Sequence, residues 1–192
     1  LSKIPEAELV NIHTFNSFSE KILQKYNNQI YDKPTNILNY RDKITILNLA
    51  LNKMNLTRSQ ALNIYFQNNQ SFKTPEQLFN IFLNDCFFIR DYFKAKNKNI
   101  EESEFTTHEE KHKPTIRMII ELSSFIEAYM RKHGLRTFTD QLLDTIKFLG
   151  KNYKNIPEFD HILIDEYQDV NSTQIKLLNL LKQDLQQFQS YF

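Results

Sequence analysis

The chain reads as mainly α with a small parallel β part, an α/β core interrupted by a helical insertion. Three observations predict this. Apolar residues recur at helical spacing through most of the 192 residues. Two short apolar runs, Leu9 to His13 and Ile162 to Ile164, have the form of strands and lie near opposite ends. Only two glycines and five prolines interrupt the pattern, and Gly134 and Gly150 each follow a periodic segment, where helix C-caps favour a left-handed residue.

Taken in order, Leu9 to His13 is a short strand, and Ser17 with Glu20 three residues later has the form of a capping box. Phe18, Ile22, Leu23 and Tyr26 then share one helical face. After the turn signal Asp32-Lys33-Pro34, a helix is expected through Ile44, Leu47, Leu51 and Met54, and Thr57 with Gln60 opens the next. Thr74-Pro75-Glu76-Gln77 is the clearest start, with an N-cap, a proline at the first helical position and a reciprocal Gln; its helix should run to about Phe93. Residues Lys94 to Pro114 are strongly charged and nearly free of apolar side chains, which predicts an exposed, mobile loop over 94–114. A helix resumes near Thr115 and stops at Gly134, and another runs from Thr139 to Gly150. Ile156 and Pro157 lead into the second strand, and Asn171-Ser172-Thr173 supplies the N-cap of the last helix.

About a hundred residues of helix between the two strands exceed an ordinary crossover. A helical domain inserted between two parts of one core is therefore expected.

The run from His161 to Asn171, HILIDEYQDVN, carries the chemistry. Parallel strands are apolar on both faces, as Ile162, Leu163 and Ile164 are, and the ligand crevice of an open α/β sheet lies beyond the strands' carboxyl ends. Asp165 and Glu166 would stand there. Nucleotide hydrolysis needs one carboxylate to hold the Mg²⁺ that bridges phosphates and a second to orient or deprotonate the attacking water. Asp165 suits the first role and Glu166 the second. The plain alternative is a buried strand running into an acidic turn that caps the next helix.

Asp165-Glu166-Tyr167-Gln168-Asp169-Val170-Asn171, with Gln174 and the Leu177-Leu178 and Leu180-Leu181 pairs, closely resembles motif II of superfamily 1 DNA helicases of the UvrD/Rep type. Val10-Asn11-Ile12-His13-Thr14-Phe15-Asn16-Ser17-Phe18 is similar to the strand and Thr-Phe-His-Ser-Phe segment that this family uses near single-stranded DNA, with Asn16 in place of the usual His. Phe138-Thr139-Asp140-Gln141-Leu142-Leu143 resembles the start of the helix that precedes motif II. The resemblance implies a partial P-loop NTPase (RecA-like) core, domain 1A, formed by 1–19 and 138–192, in which 20–137 is the helical insertion 1B. It implies ATP and Mg²⁺ as cofactors, with Asp165 holding the metal, Glu166 activating water and Gln168 relaying nucleotide state. Thr14, Phe15, Asn16 and Ser17 would lie against single-stranded DNA near a duplex junction. The remaining helicase domains, the Walker A segment, 2A and 2B, are the implied protein partners, and translocation would run 3′ to 5′.

A P-loop needs glycines where backbone amides close on phosphate, and neither Gly134 nor Gly150 begins a GxxxxGK[ST] pattern. No Gly-Asp-x-x-Gln segment follows the Leu180-Leu181 helix. The expectation is a piece of a helicase that does not turn over ATP alone. The other class of function in contention is a non-catalytic DNA-binding or protein-interaction module that keeps a relic of motif II.

Other features carry less. His108-Glu109-Glu110-Lys111-His112 satisfies H-E-x-x-H, whose His pair can bind zinc from one helical face. Polar and charged neighbours with Pro114 close behind favour a solvated loop instead. Arg131, Lys132, His133 and Arg136 suit a helix C-terminus as well as a phosphate, and Lys21 and Lys25 suit an ordinary solvated face. Twenty Asn residues are dispersed among periodic apolar positions and do not form a low-complexity tract. A formal net charge of +1 excludes a strongly basic nucleic-acid module, although local patches and stacking surfaces do not require one. The single cysteine, Cys86, cannot form an internal disulfide, and no apolar stretch reaches the roughly 18 residues of a membrane span. A cytoplasmic protein without membrane contact is expected.

Overall fold

The computed structural model describes residues 10–67, 73–105 and 109–182. It is mostly helical, with one small parallel sheet of two strands. The elements are α1 (Phe15–Lys25), α2 (Asn27–Ile30), β1 (Asn36–Ile37), α3 (Tyr40–Lys53), α4 (Arg58–Phe66), α5 (Pro75–Ala95), α6 (Lys113–His133), β2 (Leu135–Arg136), α7 (Phe138–Lys151) and α8 (Ser172–Leu181). Short 3₁₀ turns fill several connections, at Glu102–Glu104, Glu110–His112, Tyr153–Asn155 and Tyr167–Asp169.

Capping sets the helix starts. Thr14, Asn39, Thr57, Thr74 and Asn171 each accept from the backbone N–H three residues on, and the side chain at that position returns the bond. The first helix therefore starts at Phe15, capped by Thr14 with Ser17, three residues before the Ser17/Glu20 box that its sequence suggests. Gly134 ends α6 at φ 64°, the left-handed cap expected of it. Gly150 ends nothing, because α7 runs on to Lys151.

The chain divides into two compact units, one from residues 1–34 with 138–192 and one from 35–137. The expected insertion opens at residue 20, but α1 crosses that point unbroken and packs on α7, so it stays with the first unit.

In the 35–137 unit, α3, α4, α5 and α6 enclose a core that includes the fully buried Leu47, Phe82, Leu83, Leu122 and Ile126. Cys86 lies in it, and burial pushes its thiol well above the ordinary range, consistent with an inert core residue. β1 and β2 pair in parallel, Asn36 opposite Leu135 and Ile37 opposite Arg136, so the unit's entry and exit are hydrogen-bonded to each other. Beside the exit, buried Arg90 on α5 donates to Asp91 at 2.6 Å and to Glu127 of α6, whose carboxylate also meets Lys94 at 3.1 Å. The charged stretch after α5 is more ordered than a bare loop: Phe105 packs on the core, 6.0 Å from Phe93, and Lys98 pairs with Glu104 at 2.7 Å.

The other unit is built on α7, which packs against α1 and α8. Its core holds Ile22, Leu142, Phe148, Leu149, Ile156, Leu177 and Leu181. A polar seam joins α1 to α7: Gln141 donates to Glu20 at 2.6 Å and Thr145 to the Ser19 carbonyl at 3.4 Å.

Neither expected strand is present. Val10 to His13 and His161 to Ile164 are irregular, with Val10 61%, Ile12 71% and Leu163 81% exposed; Leu9 lies outside the described residues. A strand exists only where another offers its backbone groups. Among the described residues the sole pairing is β1 with β2.

The two glycines should respond oppositely to alanine. Gly134→Ala should cost about 1 kcal/mol or more, because a Cβ is disfavoured at positive φ. Gly150→Ala should gain about 0.5–1 kcal/mol, since an added Cβ there meets nothing within 4 Å; urea unfolding of both variants measures the pair. Glu127 yields a further prediction. Burial raises its pKa, but Arg90 and Lys94 outweigh that and hold it below the ordinary glutamate value. A depressed carboxylate contributes stability above its unfolded pKa and loses it as pH falls through its folded one. Acid unfolding below about pH 4 should therefore be shallower in Glu127→Gln than in the parent.

Candidate functional site

The acidic segment forms an ordered turn outside regular secondary structure. Asp165 Oδ1 accepts the Glu166 N–H at 3.0 Å. Glu166 then takes a left-handed backbone, φ 48° and ψ 46°, one of four non-glycine residues at positive φ among those described. Tyr167–Asp169 follow as a 3₁₀ turn, closed by the Asp169 N–H on the Glu166 carbonyl at 2.9 Å. Gln168 Nε2 donates to Glu166 Oε2. The side chains of Asp165, Glu166, Tyr167, Gln168 and Asp169 are all exposed.

Downstream, Asn171 caps α8 and Gln174 closes its box, each bonded to the other's backbone at 2.9–3.0 Å. Gln174 thus has a local structural task. Leu177, Leu178 and Leu181 are buried, and Leu180 packs beside them, so α8 holds the turn's trailing end on the core. Phe159 holds its leading end, 6.1 Å from Phe18 of α1.

Phe18 also lies 6.4 Å from His13, which ties the amino-terminal candidates to the same unit. Thr14 and Ser17 bond reciprocally in the capping box, with Thr14 N to Ser17 Oγ at 2.9 Å and Ser17 N to Thr14 Oγ1 at 3.1 Å. Both remain exposed. Phe15 and Phe18 pack against the core, so their rings chiefly serve α1. Asn16 is half-buried, and its Oδ1 is enclosed without a hydrogen-bond partner.

The donor set suits a hard cation shared with phosphate. Mg²⁺ takes oxygen ligands, commonly one or two carboxylates with substrate phosphates and several waters, and Asp165 offers a carboxylate at an exposed turn. Among the described residues no group of three or more His, Cys, Asp or Glu side chains is arranged to hold a metal by itself. In the H-E-x-x-H run, His108 lies outside the described residues, as do Thr106 and Thr107. Glu109 pairs with Lys111 at 2.5 Å, and Gln67 Nε2 lies 2.9 Å from His112 Nδ1. Arg131, Lys132 and His133 are exposed in the last turn of α6, where the helix dipole favours cations, while Arg136 is buried in β2.

Sequence reasoning singled out Asp165, Glu166 and Gln168 but missed the left-handed Glu166 and the bond from Gln168. An amide two residues beyond a carboxylate was the available signal, since short polar side chains readily bond within a turn. No sequence signal marked the buried Ser19 and Gln141 of the α1/α7 seam as polar partners rather than surface residues.

These features define a mostly helical chain that presents exposed carboxylates from an ordered turn. The chain belongs to the UvrD/REP helicase N-terminal domain family, whose pattern matches residues 1–189. It is similar to an ATP-dependent helicase/nuclease subunit of Listeria monocytogenes serotype 4a (strain HCC23), with 29% identity over 140 residues, covering 62% of this chain. The chain spans 11% of that relative's length. No solved structure matches it.

A left-handed glutamate is costly, and such outliers concentrate at functional sites. Glu166→Gly should therefore raise stability by about 1 kcal/mol even as it removes the carboxylate, measured as a shift in the urea midpoint. A loss of stability would show that the side chain itself holds the turn.

Proposed function

We propose that the chain is part of an ATP-dependent superfamily 1 DNA helicase that couples ATP hydrolysis to 3′ to 5′ translocation on single-stranded DNA and unwinding of duplex. The observation that carries this is the ordered turn at Asp165 to Asp169 in a chain of the UvrD/REP family, with Glu166 held left-handed and both leading carboxylates exposed. Residues 1–19 and 138–192 would belong to the first RecA-like domain, 1A, and the insertion within 20–137 to 1B. The two apolar runs, exposed here at Ile12 and Leu163, would become strands of a sheet completed by other parts of the protein.

Asp165 would hold Mg²⁺, which when bound neutralises charge on the phosphates. Glu166 would take the proton of the attacking water. Gln168 would respond to nucleotide state. Thr14, Asn16 and Ser17 would touch the DNA strand at the exposed start of α1, where unsatisfied backbone N–H groups favour a phosphate, with Phe15 anchoring the segment from behind. The protein partners would be the phosphate-binding Walker A segment and domains 2A and 2B, and the setting cytoplasmic. No described helix is long and apolar enough to cross a membrane. Because the chain contains no GxxxxGK[ST] segment, it should not turn over ATP alone.

Glu166→Gln in the full-length protein should cut ATP turnover to a small residual rate, readable only in single turnovers, while ATP still binds, measured by phosphate release and nucleotide titration; an undiminished rate removes Glu166 from this role. Single-stranded DNA binding by the 192-residue chain should fall with salt and weaken in Thr14→Ala and Asn16→Ala. Binding unchanged in both variants would move the DNA path elsewhere. No binding at all would favour a protein-interaction module.

A further inference from the structure

We infer that Gln168 is a positioning residue for Glu166: its side-chain amide orients one carboxylate oxygen and leaves the other for the attacking water. The inference rests on the hydrolytic reading of Glu166 and assigns Gln168 a task on that residue rather than on the nucleotide.

The geometry of the turn carries it. Glu166 is held from both sides, its N–H by Asp165 Oδ1 at 3.0 Å and its carboxylate Oε2 by Gln168 Nε2. The left-handed backbone at 166 fixes the direction in which the side chain leaves. The bond from the Asp169 N–H to the Glu166 carbonyl, 2.9 Å, then folds the 3₁₀ turn back so that residue 168 comes over residue 166. A Glu side chain has several rotatable bonds, and an exposed one samples many rotamers. The amide bond to Oε2 restrains that freedom. Oε1 has no hydrogen bond among the described residues, and the Glu166 residue is exposed.

The amide is also the right chemical choice. A Lys or Arg at 168 would hold the carboxylate as a counter-ion and oppose its taking a proton. A carboxylate there would repel it. A neutral donor orients without neutralising, and it can also respond to what lies beyond it, since any group that draws the amide away frees Glu166.

The test is a double-mutant cycle on ATP hydrolysis by the full-length protein, with Gln168→Ala, Glu166→Gln and the double variant measured in single turnovers and Gln168→Ala also in the steady state. A misplaced catalytic group loses rate, not substrate affinity, so Gln168→Ala should lower kcat by about tenfold to a hundredfold and leave KM for ATP within about twofold. In the Glu166→Gln background the same change should cost nothing further, because residues that act through one another are non-additive. Gln168→Glu, which keeps the side chain's length but loses the donor and adds a repelling charge, should lose at least as much rate as Gln168→Ala, and an unchanged melting temperature for both excludes unfolding as the cause. The inference is overturned if Gln168→Ala raises KM at constant kcat, or if the two losses multiply in the double variant; either result places the amide on the nucleotide. Wild-type turnover in Glu166→Gln alone would overturn the hydrolytic reading itself, and the inference with it.

Discussion

The pairing of β1 with β2 is the constraint on which the architecture depends. Two residues on each side, Asn36 and Ile37 against Leu135 and Arg136, bring together chain positions about a hundred residues apart. Closing so long a loop costs chain entropy that grows only slowly with length, and the core of α3, α4, α5 and α6 offsets it through burial. The consequence is that the 35–137 unit begins and ends at one place. Chain segments before and after it can then build a second unit, in which α1 packs against α7 and α7 against α8.

The acidic turn inherits its order from that second unit. Phe159 fixes the approach through Phe18, and the buried leucines of α8 fix the departure. Between them the backbone bends through the left-handed Glu166 and a 3₁₀ turn. A strained residue persists only where its surroundings over-determine it. Here the Asp165 carboxylate, the Asp169 N–H and the Gln168 amide all converge on residue 166. The turn therefore holds its carboxylate by short-range bonds within five residues, with packing needed only at its two ends.

Local signals were the legible part of the sequence. Thr57, Thr74 and Asn171 announce their helices because a capping box is written in four consecutive residues, and Gly134 announces a left-handed cap. The same reasoning misplaced the start of α1, since Ser17/Glu20 fits the usual Ser/Thr-x-x-Glu/Gln box while the pair that caps the helix, Thr14/Ser17, carries a serine in the third position. It misread Gly150, which has open space around it and no positive φ to serve. Strands were the least legible. The apolar runs at 10–13 and 162–164 carry the composition of strands without a partner among the described residues, while the real pair, Asn36–Ile37 with Leu135–Arg136, is too short to show any periodicity. Of the site, the residue types were visible but the left-handed backbone that aims Glu166 was not.

The most direct test of the central claim, that this turn addresses a nucleotide, is a structure of the full-length protein with Mg²⁺ and a non-hydrolysable ATP analogue. The account predicts Asp165 bound to the metal directly or through one water, and Glu166 Oε1 at hydrogen-bonding distance, about 3 Å, from a water facing the terminal phosphate. A Glu166 carboxylate turned away from the nucleotide, with the metal held by other residues, would contradict it.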